Sequence, residues 1–292
     1  MIEMLQYDFM WRALIAALLV GLAAPAVGVF VVQRRLALLG DGIGHVALTG
    51  VALGFLTGTA PVLTAVIVAV LGAVVIELVR ARGRTTGDVA LALLFYGGIA
   101  GGVLLIGLAP GGSNSTLTSY LFGSISSVTA QDVWVIAVLA AFVLGVVAVF
   151  GRELFVLCQD EEVARVNGLP VRFLSLLIAI TAALTVVIAM RVVGLLLVSA
   201  LMVVPVATGQ QITRSFTATM LLAMLLGVVS TVGGLTTAFY AGVAPGAAIV
   251  LLALAGFAVA LVAGRFVRRG RVAGLERGRV MESRAAGVEA GS

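Results

Sequence analysis

The chain has 292 residues, 62% of them hydrophobic and only 11% charged. An ordinary soluble domain is about 45–50% apolar and about 25% charged, so a water-soluble globule is excluded. The net charge of +5 comes wholly from arginines in short clusters between apolar runs; membrane topology produces that pattern, and it points to no nucleic-acid partner.

Successive runs of about 18 or more apolar residues are each long enough to cross a hydrocarbon core of ~30 Å. In chain order, the pattern predicts transmembrane helices over 11–32, 36–57, 61–79, 89–109, 131–150, 172–190, 192–213, 217–240 and 245–265. The fold class is therefore all-α, a polytopic transmembrane bundle of about nine spans, or eight with one re-entrant segment. Glu3 and Asp8 precede the first run and no basic n-region does, so that run is expected to stay as a span rather than act as a signal peptide.

Arginine sets the expected orientation. Arg34 and Arg35 follow the first span, Arg80, Arg82 and Arg84 the third, Arg152, Arg165 and Arg172 the fifth, Arg214 the seventh, and Arg265, Arg268, Arg269 and Arg271 the ninth. All share one side if the N-terminus is outside and the C-terminus cytoplasmic; Arg12 and Arg191 fall on the other. The transmembrane domain is placed at 1–268. The tail, 269–292, lacks apolar periodicity and is expected to be disordered.

Two connections stand out. Residues 110–130 are polar and turn-rich, are placed outside, and hold a candidate half-helix around Leu117 to Ser126. Residues 151–171 are placed inside. There Asp160 suits the N-cap of a helix starting at Glu161 and ending near Asn167 and Gly168, with Pro170 just beyond. On local grounds this is either a connector or a docking helix for a cytoplasmic partner. No P-loop occurs in the sequence, so any ATP hydrolysis coupled to this chain belongs to another one.

The stretch LLGDGIGHVALTG, 38–50, places Asp41 and the chain's one histidine, His45, four residues apart. On a helix they share a face, with Cβ atoms about 6 Å apart. A carboxylate and an imidazole so placed are half of a divalent-metal site. The plainer reading is a structural ion pair. Ionisable groups inside a span cost about 2.5–3.5 kcal/mol each and commonly mark a pathway, which favours the site. A symmetric dimer would bring two pairs together and supply four ligands.

Other residues carry plainer expectations. Pro205 shapes its helix, Glu77 pairs with Arg80 or snorkels, Asp88 caps the fourth span, and Met202, Met220 and Met224 pack, although a thioether can touch a soft metal. Ser199 stands in the seventh span with no serine-protease motif around it. The lone Cys158 allows no intrachain disulfide.

Four stretches carry a family resemblance: LALLGDGIGHVALTGVALG (36–54), FVLCQDEEVARVNGLPV (155–171), RVVGLLLVSALMVVPVATGQQI (191–212) and APGAAIVLL (244–252). Together they resemble the permease subunit of bacterial ABC importers for zinc, manganese or iron, over about 5–268 and in the family's order. The likeness implies a type II importer-like permease in the bacterial plasma membrane. It implies no enzymatic activity of its own, because ATP is hydrolysed on a separate cytoplasmic ABC ATPase. It also implies an extracellular or periplasmic metal-binding protein, a second permease copy, surrounding lipid, and a transported divalent ion in place of any resident cofactor. Asp41 and His45 match the family's metal-coordinating Asp and His. The coupling role falls on Asp160, Glu161, Glu162, Val163, Ala164, Arg165, Val166, Asn167 and Gly168, within a coupling segment near 158–170. The chain departs from the family at Gly242, Val243 and Ala244, where an acidic residue often precedes the Pro-Gly of the last span.

The competing reading is a permease for an iron-siderophore or cobalamin-type chelate, which needs no ligands in its path. An intramembrane metalloprotease is disfavoured because one histidine cannot make a HExxH set. An ion-coupled carrier would want more intramembrane acids and would leave the 160–168 helix without a role.

Overall fold

The computed structural model describes residues 4–81, 87–109, 114–124 and 128–262. The predicted tail lies outside them. The described residues form helices and connecting turns, with no strand. The long elements are α1 (Asp8–Gln33), α2 (Leu39–Thr57), α3 (Pro61–Ala81), α4 (Gly87–Leu108), α6 (Ala130–Gln159), α8 (Val171–Met190), α9 (Leu195–Ile212), α10 (Phe216–Ala241) and α11 (Pro245–Val262). Two are short: α5 (Asn114–Phe122) and α7 (Glu161–Val166). Among the described residues, 8 helices are long and apolar enough to cross a membrane, and the described part of α9 is shorter.

The helix α9 nonetheless runs through the bundle. Its Gly194 end abuts Gly123 beside α5, and its Gln210–Ser215 end shares a cavity with Gln33 and Gln159, the last residues of α1 and α6. Eighteen residues rise about 27 Å. The chain continues helically through Pro205.

Burial separates the helices into two groups. In α1 and α8 more than two thirds of the apolar window is buried, against 17% for α4 and 28% for α3 and α6. Small residues make the inner helices fit: Ala13, Ala16, Ala17, Ala23, Ala24, Ala182, Ala183 and Ala189 are all fully buried. Hydrophobicity gives little drive to helix association in lipid, so close packing of small side chains supplies it.

One expected boundary is corrected. The fifth span does not stop near 150: α6 continues to Gln159, so the connection is much shorter than 151–171. Arg152 and Glu153 are compatible with a helix, and Leu154 and Leu157 stay in the core, so nothing ends it before the Asp160 cap. The described part of α4 begins at Gly87, and the residues just before it lie outside the described ones. The half-helix is present as α5, somewhat earlier than placed; Ser126 lies outside the described residues.

Candidate metal path and coupling helix

Arg34 marks one end of the bundle. Its guanidinium donates to Ser175 Oγ at 2.9 Å, near the start of α8, and pairs with Glu161 of α7 at 3.4 Å. Burial lowers its pKa from the ordinary value and nearby Arg80 adds to this, while Glu77, Cys158 and Glu161 pull the other way. The arginines after α1 and α3 therefore gather at the α7 end. Glu77 takes its expected partner, Arg80, at 3.1 Å.

At this end the sequence specified local structure closely. Asp160 Oδ1 accepts from the backbone N–H groups of Glu162 and Val163, at 2.8 and 3.2 Å. The other terminus closes as a Schellman turn: Leu169 N–H donates to Ala164 O and Gly168 N–H to Arg165 O, with Gly168 at φ +76°. Ala164 is buried beneath the short helix, whereas Val163 is 49% and Val166 88% exposed. Two apolar side chains thus project from a capped, polar helix.

The Asp41–His45 pair lies deeper. The neighbours of the glycines in α2 fix where each of its faces points. Gly40 faces Ser199 and Met202 of α9, Gly44 faces Leu195 and Val186, Gly42 faces Leu91 and Leu94 of α4, and Gly50 faces α3. On a helical wheel, Asp41 and His45 then point between α9 and α4. The helices α3, α8 and α9 close the other sides of α2 in sequence, while α4 and α9 share no extended contact. Among the described residues the pair consequently looks toward the gap between α4 and α9. Val186, level with Gly44, is about 16 Å along α8 from Ser175. By that measure the pair is near mid-bundle, although it stands in the first two turns of α2.

His45 is 8% exposed and its Nδ1 has no hydrogen-bond partner. Phe95 of α4 meets its ring edge-on, with centroids 4.5 Å apart. Gly98 lets α4 lie against the His45 backbone, since a Cβ there would come 2.7 Å from the His45 carbonyl carbon. Thr49 Oγ1 donates to Gly98 O at 2.9 Å and ties the two helices. No group of three or more His, Cys, Asp or Glu gathers among the described residues.

The opposite end holds a site that charge counting missed. Arg191, in the α8–α9 turn, pairs with Asp132 of α6, donates to Tyr120 Oη at 3.1 Å and lies over the Tyr120 ring. Asp132 also closes a capping box with Thr129. The signal available in sequence was T-A-Q-D, the spacing of a capping box, which left an acid beside the stray arginine.

The family model described as "ABC 3 transport family" matches residues 6–264. A manganese transport system membrane protein, MntC, of Halalkalibacterium halodurans is 34% identical over 258 residues, covering 88% of each chain. The manganese import system permease protein ScaB of Streptococcus parasanguinis is 33% identical, over 84% of this chain and 87% of its own. Among solved structures, PsaBC from Streptococcus pneumoniae in complex with Fab superposes with a TM-score of 0.81 at 33% identity, over 89% of this chain and 93% of that one. A metal-chelate-type ABC transporter in an inward-facing conformation shares the fold, with a TM-score of 0.71 at 15% identity. The chain belongs to the ABC 3 transport family, the metal-uptake ABC permeases whose motifs its sequence carries.

Proposed function

We propose that this multi-pass permease imports a divalent transition metal, manganese before zinc or iron, through a path that Asp41 and His45 line. A cytoplasmic ATPase supplies the energy and an external metal-binding protein delivers the ion. The observation that carries the reading is the placement of the pair at mid-bundle, facing the gap between α4 and α9, with His45 Nδ1 unpartnered. Relatives that move manganese support the choice of ion, as does the chemistry, since a carboxylate with an imidazole suits manganese as well as zinc. A second copy of the chain across the gap completes the ligand set and encloses the path. The α7 helix docks on the ATPase through Val163 and Val166, and ATP-driven movement there alternates access to the site. On this reading the α7 end is cytoplasmic.

The test is uptake of radiolabelled manganese, zinc and iron by cells making the chain with its ATPase and binding protein. Asp41→Ala and His45→Ala, at matched membrane levels, are expected to lose at least about tenfold in metal uptake. Unchanged uptake in both variants would place the path elsewhere.

A further inference from the structure

Seven threonines of α8, α9 and α10 satisfy their hydroxyls in the same way. Thr181, Thr185, Thr208, Thr219, Thr231, Thr236 and Thr237 each turn their hydroxyl back onto the carbonyl four residues earlier. That is how a helix in an apolar medium satisfies a hydroxyl. Ser199 of α9 has no such bond. It is 8% exposed, its Oγ is fully buried, and the atom has no hydrogen-bond partner.

The location of Ser199 explains why. It stands on α9 directly against Gly40, the residue before Asp41; a Cβ at position 40 would be 2.8 Å from its Oγ and 3.6 Å from Met202 Sδ. Its wall of α9 borders the gap into which Asp41 and His45 point. His45 Nδ1 and Ser199 Oγ are thus both buried without a partner, the first one turn along α2 from Asp41 and the second against the residue before it. Unpartnered polar atoms in a dry interior are rare and mark a missing ligand, ion or water.

We infer that Ser199 is a third metal-path group, whose hydroxyl oxygen binds the transported ion, directly or through its water, and biases the path toward harder divalent ions such as manganese. The inference rests on the proposed Asp41–His45 path. A neutral oxygen beside a carboxylate and an imidazole raises the oxygen share of the ligand set, which favours manganese over zinc. The glycine at 40 is the notch that admits the hydroxyl; no larger residue leaves room for it.

The experiment uses the full complex of permease, ATPase and binding protein. It measures radiolabelled manganese and zinc uptake, with equilibrium binding of radiolabelled manganese to the purified complex as a readout independent of turnover. Ser199→Ala is expected to raise KM for manganese and weaken manganese binding, each about tenfold, with unchanged assembly and a smaller effect on zinc. Ser199→Cys, which offers a soft donor of similar size, is expected to shift preference toward zinc, an outcome that mere packing at this site would not produce. Wild-type manganese KM in Ser199→Ala together with an unaltered metal ratio in Ser199→Cys would overturn the inference. Asp41→Ala separates the two failures. If it loses uptake while both Ser199 variants behave as wild type, only the role of Ser199 falls; if it too retains uptake, the path itself is misplaced.

Discussion

Arg191 is the residue whose surroundings carry the clearest energetic consequence. Its charge and that of Asp132 are 14% and 11% exposed, and each holds the other in place between the α8–α9 turn and the start of α6. Removing one member strands a buried charge, so Asp132→Ala or Arg191→Ala is expected to cost about 3 kcal/mol of stability. The double replacement is expected to cost less than the sum, because no charge is then left alone. Thermal unfolding of the detergent-purified permease checks both statements. The arginine itself was plain in the sequence, as an exception to the charge pattern. Its partners were not: Asp132 and Tyr120 are 59 and 71 residues away, and only packing brings them together. The same holds for Ser199, an unremarkable serine in the sequence that becomes singular only once its neighbours are known.

At the scale of the element, α7 and the α2–α4 pair behave differently. The α7 helix was legible from end to end, because an N-cap aspartate, a C-terminal Asn-Gly and a following proline act locally. Asp160→Ala is expected to cost about 1 kcal/mol of local helix stability. Val166→Asp, on a side chain 88% exposed, is expected to abolish ATPase co-purification while leaving permease levels unchanged; retained co-purification would remove α7 from the docking surface. The α2–α4 contact was not legible. Gly98 reads as one more glycine among the 36, yet it is where α4 meets the His45 backbone. Gly98→Val is expected to push α4 away from α2 and to reduce metal uptake more than Gly97→Val, whose neighbour position is open space. Uptake measured at matched expression decides between them.

For the molecule as a whole, the two ends are distinct in chemistry. One gathers Arg34, Glu161, Arg80 and Glu77; the other holds Arg191, Asp132 and Tyr120. If the first is cytoplasmic, a membrane-impermeant thiol reagent on intact cells will label Thr59→Cys, in the exposed turn between α2 and α3. It will spare Asn167→Cys until the membrane is opened, with Cys158→Ser as background for both. The reverse pattern would invert the orientation derived from arginine.

The all-helical class, the approximate span limits, the acid–histidine pair and the capped α7 helix depend on composition and on interactions between residues a few positions apart. Such interactions are written directly in the chain, because hydropathy over about 20 residues and capping over three or four need no distant partner. Where α6 ends is settled by burial of Leu154 and Leu157, which belongs to the assembled bundle. The depth of Asp41 and His45, the gap they face, the notch at Gly40 and the clamp on Arg191 all come from helices far apart in sequence. A helix states which residues share its face, but which neighbour that face meets is decided only when the helices pack.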